Sequence, residues 1–298
     1  MEITLTRIGN VLTRTGGYLS TVTSHSLQPY RGCSLGQSLC GVGCYVRHHA
    51  WVTRGREWGT FLDVRENAAD SYIEHYPAEQ RWARGRLGRF SIFLSSATEP
   101  FPPQEKKFGI TRRVLGAMVD HPPDLLILQT HTHGVVDVLD TLRELAARCE
   151  VRVHISIESD RDGLPGLPMP GATVERRFAA AQAVRDAGLR TVITVSPLLP
   201  MDDPAAFFRR ADACADAVVI DHFIGGDGTA TGSRTRRTAL PAAMAAVDPR
   251  STELAYRDEI VGHALEIFSG EVGVGIDGFA GRYLQPTGVS SAPWGGQR

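Results

Sequence analysis

The sequence has almost no lysine: of its 32 cationic residues only Lys106 and Lys107 are lysine. Together with abundant Ala and Gly this reads as a coding bias toward GC-rich codons, so the arginine content alone argues nothing about partners. Charge of one sign is also missing. Lys+Arg 32 against Asp+Glu 33 leaves a net charge of -1, which excludes the strongly basic balance of a protein living mainly on nucleic-acid phosphates. Long apolar runs are absent too: stretches such as Leu125 to Leu128 or Ala217 to Ile220 fall far short of the ~20 residues that cross a bilayer. The start, Met1-Glu2-Ile3-Thr4, has no basic region, apolar run or small-residue cleavage site. A cytoplasmic location without membrane contact is therefore expected. What is present, 298 residues of which 42% are hydrophobic, suffices for one large core or two ordinary domains and excludes disorder.

Cysteine is scarce, with five in the chain, yet Cys33, Cys40 and Cys44 crowd into twelve residues. In a reducing compartment such crowding points to metal or redox chemistry. Three thiols leave a tetrahedral zinc site one ligand short, so zinc would need His48 or His49 just downstream and would give a zinc-stabilised binding module. The same three thiols suit a four-iron four-sulfur cluster with one iron open to another ligand. Cys149 and Cys214 fall in helix-like segments and read as small apolar side chains.

From about Arg89 onward short aliphatic or β-branched runs alternate with longer amphipathic ones. Strands are predicted at Phe90 to Leu94, Leu125 to Gln129, Val151 to Ile157, Thr191 to Val195 and Ala217 to Phe223. Between them helices are predicted at Thr111 to Asp120, Val135 to Cys149, Thr173 to Ala187 and Ala205 to Cys214. That alternation requires parallel pairing with right-handed crossovers, hence an α/β sheet, either open or a full or partial barrel. Reactive groups in such folds collect at the carboxyl ends of strands, which here are Ser95 to Glu99, Thr130 to His133, Ser156 to Asp160 and Ser196 to Pro200.

His131 and His133 stand two apart at one such end, and a strand would present both imidazoles on one face. They are the substrate-side candidates. The same pair, supplemented by Asp221-His222, would suit a divalent-metal-dependent barrel hydrolase. Residues 224–237, rich in Gly, Thr and Ser, lack the spacing and Lys of a phosphate-binding loop and read either as a surface loop or lid or as a substrate contact. Arg81, Arg84, Arg86 and Arg89 with Trp82 make a local basic patch that reads as a solvated face.

Several ordered motifs carry a family resemblance. Pro29-Tyr30-Arg31-Gly32-Cys33 and Cys44-Tyr45-Val46-Arg47 resemble the cluster loop of the radical S-adenosylmethionine (SAM) enzymes related to spore photoproduct lyase. Trp58-Gly59-Thr60-Phe61 through Asn67 follows, then Ala97-Thr98-Glu99-Pro100-Phe101 with Glu105, and Gly109-Ile110-Thr111-Arg112-Arg113-Val114-Leu115. Thr130-His131-Thr132, Val153-His154-Ile155-Ser156-Ile157 and Pro197-Leu198-Leu199-Pro200 complete a likeness spanning about residues 28 to 200. The sequence departs from that pattern in its cysteine spacing, six and three intervening residues where the family usually has three and two. Gly36, Gly41 and Gly43 in the lengthened gaps are expected to take tight or left-handed conformations. Gly43 stands where the family often has an aromatic against adenine, leaving Tyr45 for that contact. His131 replaces a lysine, which points to a substrate other than the photoproduct.

The resemblance implies a partial (β/α) barrel of the radical SAM type with parallel strands, in one structural domain. Residues 1–88 would hold the cluster loop and lead into the barrel, 89–270 would form its core, and 271–298 a C-terminal extension. It implies a four-iron four-sulfur cluster on Cys33, Cys40 and Cys44, with SAM bound at the open iron and cleaved reductively to a 5'-deoxyadenosyl radical. SAM contacts would come from Tyr45, Ser95, Ser96, Glu99, Ser156 and Glu158, with Glu99 taking the SAM ammonium. The expected partners are a small-molecule substrate and a reductant such as flavodoxin or ferredoxin; lesion repair on DNA, the role of the better-known relative, is the alternative.

Overall fold

A computed structural model describes residues 1–284. Its strands are β1 (Glu2–Thr6), β2 (Leu12–Arg14), β3 (His25–Leu27), β4 (Tyr30–Gly32), β5 (Phe61–Arg65), β6 (Ser91–Leu94), β7 (Leu125–Thr130), β8 (Glu150–Ser156), β9 (Arg190–Val195), β10 (Ala217–Ile220) and β11 (Glu271–Val274). An eight-stranded sheet runs β11-β10-β9-β8-β7-β6-β3-β2, and β1-β5-β4 form a separate three-stranded sheet. Within the large sheet every pairing from β3 through β11 is parallel, and only edge strand β2 runs antiparallel. The edges β2 and β11 are not paired with each other, so this is the partial barrel.

The helices between strands follow from local chemistry. Helix Ile110–Asp120 buries Ile110, Val114, Leu115 and Met118 on one face, at the spacing that packs a helix on a sheet. Helix Val174–Asp186 starts where the Thr173 side chain accepts the Arg176 N–H, and helix Pro204–Cys214 where Asp203 accepts that of Ala206, both N-caps of the usual kind. Along the strands the period of two sorts side chains to two cores. Ile92, Leu94, Leu126, Leu128, Val218 and Ile220 pack outward under the helices. Phe93, Leu125, Ile127, Val192 and Val219 point inward and meet Phe279 from the helix Gly275–Phe279. The barrel interior is thus plugged below and left open above, at the carboxyl ends of the strands. No helix among the described residues is long and apolar enough to cross a membrane.

Three sequence expectations are corrected. The sheet reaches beyond residues 89–270 on both sides, since β2 and β3 come from the N-terminal region and β11 from the predicted C-terminal extension, whose residues 285–298 lie outside the described residues. Strand β10 ends at Ile220 and not at Phe223 because Phe223 opens a short helix, Phe223–Gly226, that the extended His222 caps with its side chain. The long helix predicted over 135–149 is a 3-10 turn, Gly134–Val138, followed by the shorter helix Leu139–Ala146.

Candidate active site

The cysteine loop is built on bare backbone. Gly32 closes β4 at φ +83, and a Cβ there would sit 2.4 Å from the Phe61 carbonyl oxygen. Cys33 follows, buried among Leu35, Val46, Trp58 and Phe61. The chain turns, with Gly36 N–H donating to the Cys33 carbonyl at 3.0 Å, and re-enters as the short helix Leu39–Gly43 that carries Cys40 and delivers Cys44. A Cβ on Gly41 would lie 2.2 Å from the Gly36 carbonyl, and one on Gly36 would lie 2.4 Å from Gly59 Cα. The expected left-handed conformations are not what these glycines supply: Gly36, Gly41 and Gly43 all keep negative φ. Gly36 and Gly41 allow backbone to lie on backbone, and Gly43 leaves room for the Leu240 side chain, which is how a longer loop still converges.

Cys33, Cys40 and Cys44 line one cavity of about 500 Å³ at the open end of the barrel, a size typical of small-molecule sites. Burial first, then the neighbouring Cys40 and Cys44, pushes the Cys33 thiol up to about 12; burial and Cys40 push Cys44 up to about 12. Metal binding there must displace protons. Among the described residues no three His, Cys, Asp or Glu side chains converge as a single ion requires. Thiolates of an iron–sulfur cluster bind different irons and need not meet at a point, so the donor set fits a cluster better than mononuclear zinc. His49 lines the same cavity with its Nε2 3.2 Å from Arg234 Nη1, and His48 is outside the wall; among the described residues neither joins the thiols in a convergent set for one ion.

The strand ends supply the rest of the wall. Ser95, just past β6, holds φ +71, rare for a residue with a Cβ, and its buried hydroxyl has no partner among the described residues. Backbone strain and unpaired buried polar groups are features that cluster at functional sites. Ser96 accepts the Gln28 amide at 2.9 Å on its hydroxyl and the Tyr45 hydroxyl at 2.8 Å on its carbonyl, tying the cysteine loop to β6. Burial raises the Tyr45 pKa, keeping it a neutral phenol. Past β7, His131 donates through Nδ1 to Glu158 at 3.0 Å, and Glu158 pairs with Arg177. Burial would raise the Glu158 pKa, but Arg177 and His131 hold it down to about 2. Burial alone would lower the His131 pKa; Cys40 and Glu158 overcome it and raise it.

Other predicted site residues are placed differently. Glu99 lines the cavity, but its carboxylate accepts four hydrogen bonds from the chain itself. Ser156 is fully buried beneath the cavity, bonded to Thr194 at 2.9 Å and to the Gln129 amide at 3.1 Å, and only Gln129 reaches the wall. His131 and His133 do not share a face: β7 ends at Thr130, the alternation ends with it, and His133 is exposed while His131 lines the cavity. Both ring nitrogens of His222 are taken by backbone, the Ser251 carbonyl and the Ile224 N–H, so no hydrolase metal set forms among the described residues. The 224–237 loop is pinned, not loose: Asp227 accepts from Thr229, Arg234 and Thr235, and Gly226, Asp227 and Arg234 join the wall. The sequence reading missed Tyr18 and Arg177 as wall residues, while Ser196, in one of the strand ends it marked, does line the cavity. An arginine inside an otherwise Ala-rich helix face was the available signal for Arg177; Tyr18, in a 3-10 turn 203 residues from its partner Asp221, offered none.

No protein-family model matches the sequence. An uncharacterized protein of Mycobacterium tuberculosis is 28% identical over 184 residues, 59% of this chain and 50% of the relative. An uncharacterized protein of Methanocaldococcus jannaschii is 26% identical over 176 residues, 58% of this chain and 60% of the relative. The chain spans about half the length of the curated relatives it matches. Among solved structures, spore photoproduct lyase complexed with dinucleoside spore photoproduct superposes with a TM-score of 0.59 at 14% identity, over 91% of this chain and 81% of that one. A mutant of the same enzyme with bound AdoMet and dinucleoside spore photoproduct gives 0.59 at 15% identity, over 91% and 80%. This likeness shows the fold: a partial (β/α) barrel shared with spore photoproduct lyase.

Proposed function

We propose that this chain is a radical SAM enzyme, holding a four-iron four-sulfur cluster on Cys33, Cys40 and Cys44 and cleaving SAM reductively to start radical chemistry on a small-molecule substrate. The observation that carries this reading is the placement of three thiols, not convergent on one ion, in the wall of a cavity at the carboxyl ends of this particular barrel. When bound, the cluster would supply one electron and an open coordination site for the amino and carboxylate groups of SAM.

The chain's own residues would position and shield. The Ser95 hydroxyl, without a protein partner, is the best placed donor or acceptor for a SAM polar group. The Tyr45 hydroxyl on the Ser96 carbonyl fixes the residue after the third thiol, so Tyr45 rather than Gly43 would flank the adenine. Glu99 orients the loops after β6 and β7 and would not itself hold the SAM ammonium. The Arg177–Glu158–His131 chain would hold the imidazole beside Cys40. Trp58, Phe93 and Phe279 in the wall would exclude water, which protects reactive intermediates. A reductant such as flavodoxin or ferredoxin would deliver the electron.

Anaerobic reconstitution tests this. About four irons and four sulfides per chain are expected for a cubane cluster, with loss of both in each Cys→Ala variant, and 5'-deoxyadenosine on adding SAM and dithionite. Stoichiometric zinc without iron, or a full cluster in Cys40→Ala, would overturn the assignment. A second reading, repair of a nucleotide lesion, draws on the dinucleoside bound to the fold neighbour.

A further inference from the structure

Five carboxylates are buried among the described residues, and four are well compensated. Asp63 pairs with Arg31 and Arg56, and Glu158 with Arg177. Glu99 has its four donors, and Asp227 takes the N–H and hydroxyl of Thr229 with the N–H groups of Arg234 and Thr235. Asp221 differs. It is 6% exposed, stands in the cavity wall past β10, and makes no salt bridge among the described residues. Its side-chain partners are two neutral hydroxyls, Tyr18 and Ser196, both on Oδ2 and both at 3.3 Å. Burial pushes its pKa up to about 6, which those hydroxyls, the His222 backbone and the charge of Arg257 only partly offset.

The surroundings look built around this group. A Cβ on Gly226 would fall 2.4 Å from Asp221 Oδ2, and one on Gly275 would fall 3.6 Å from Oδ1, so bare backbone flanks the carboxylate where a side chain would cover it. Tyr18 and Phe279 line the adjoining wall and offer apolar ring surface. Tyr45 is near enough to be influenced by both Cys44 and Asp221, which places the carboxylate across one phenol from the thiol-bearing loop. Buried carboxylates are ordinarily paired, and in a low-dielectric wall a cation gains more from one than a neutral donor does. A metal ion is a poor occupant, because no three ligating side chains converge.

We propose that Asp221, seated by Tyr18 and Ser196, recognises a protonated amine or guanidinium on the small-molecule substrate of this cavity. The proposal rests on the reading of the cavity as a catalytic site. It assigns the substrate a cationic group and an adjoining apolar body, the latter lying against Tyr18 and Phe279.

The test titrates the full chain, with and without reconstituted cluster, with benzylamine, phenylguanidine, benzyl alcohol and benzoate by calorimetry. The cationic probes should bind at least about tenfold tighter than the alcohol, a difference of about 1.4 kcal/mol, and benzoate weakest. Asp221→Asn should erase that preference while iron uptake and thermal midpoint stay near wild type. Equal binding of amine and alcohol by the wild type, or a preference surviving in Asp221→Asn, would overturn the proposal. If Asp221→Asn fails to fold, Gly226→Ala decides: its Cβ would crowd Asp221 Oδ2 and should weaken the cation preference, and a preference left intact counts against. SAM affinity should be unchanged in Asp221→Asn; a parallel fall would assign Asp221 to SAM and overturn a substrate role. Because the probes are titrated without cluster as well, a wild type that takes up no iron would sink the radical reading and leave the Asp221 result readable.

Discussion

The backbone N–H of His131 donates to Glu99 Oε2 at 2.9 Å, joining the loops after β6 and β7. Oε1 accepts the Phe101 N–H at 3.0 Å and the hydroxyls of Thr130 and Thr132 at 2.5 and 3.2 Å. Glu99→Ala would leave several buried donors unpaired, at about 1–3 kcal/mol each. Its expected effect is a destabilisation of about 3 kcal/mol or more, read by denaturant unfolding of the cluster-free protein. A residue serving mainly to hold the SAM ammonium would instead lower SAM affinity and leave unfolding nearly unchanged.

A second prediction concerns acid lability. His154 is 1% exposed, both its ring nitrogens lack partners among the described residues, and it stacks on Phe279 at 6.0 Å. Burial, aided by Arg152 and Arg190, lowers its pKa to about 3. The unfolded chain titrates this group near 6.5, so between those values the unfolded state binds the proton and the native state does not. Stability from this group is therefore complete above about pH 6.5 and falls with pH down to about 3, by about 1.4 kcal/mol per unit. At pH 5 the loss is about 2 kcal/mol. His154→Leu removes the titration, so its unfolding free energy should decline less between pH 7 and pH 5 than that of wild type. Parallel declines in the two proteins would contradict this account.

Gly41 and Gly85 should respond oppositely to alanine. Gly41→Ala forces a Cβ to 2.2 Å from the Gly36 backbone, whereas a Cβ on Gly85, in the helix Ala68–Leu87, meets nothing within 4 Å. Backbone cannot give way as a flexible side chain can, so Gly41→Ala should sharply reduce iron per chain after reconstitution. Gly85→Ala should raise stability by about 0.5–1 kcal/mol with iron uptake unchanged. Full iron uptake by Gly41→Ala would mean the loop has another way to converge.

The parallel core was legible because its strands and helices differ in period. Ile92 and Leu94 face one way and Phe93 the other, while Val114, Leu115 and Met118 recur at helical spacing. The N-terminal third was not legible, because β2, β3 and β4 have three residues each and helix Ala68–Leu87 has few buried apolar side chains and carries Pro77 inside it. In the site, the cysteines could be read from scarcity and crowding. The roles of Glu99 and Asp221 could not, since whether a buried carboxylate is satisfied depends on donors from other strands: Thr130 for Glu99, Tyr18 for Asp221.

The last prediction concerns nucleic acid. The basic patch expected at Arg81 to Arg89 is half neutralised: Arg84 pairs with Asp124 at 2.5 Å and Arg89 with Glu150 at 2.5 Å, while Arg81 donates its Nε to the Pro77 carbonyl and, among the described residues, Arg81 and Arg86 make no salt bridge. Trp82 lies under Arg14, 3.9 Å from its guanidinium carbon, and offers no free stacking face there. A duplex gripped through several phosphates requires unpaired cations and produces a steep fall in affinity with salt. With a net charge of -1 and two of these four arginines paired with carboxylates, submicromolar protein should give no shift of duplex DNA at physiological salt. Replacing Arg81, Arg84, Arg86 and Arg89 with Ser should leave that result as it is, apart from a small loss of stability from the two surface pairs, at most about 1 kcal/mol each. A salt-sensitive shift that disappears in the fourfold variant would reverse the argument and put lesion repair ahead of a small-molecule substrate.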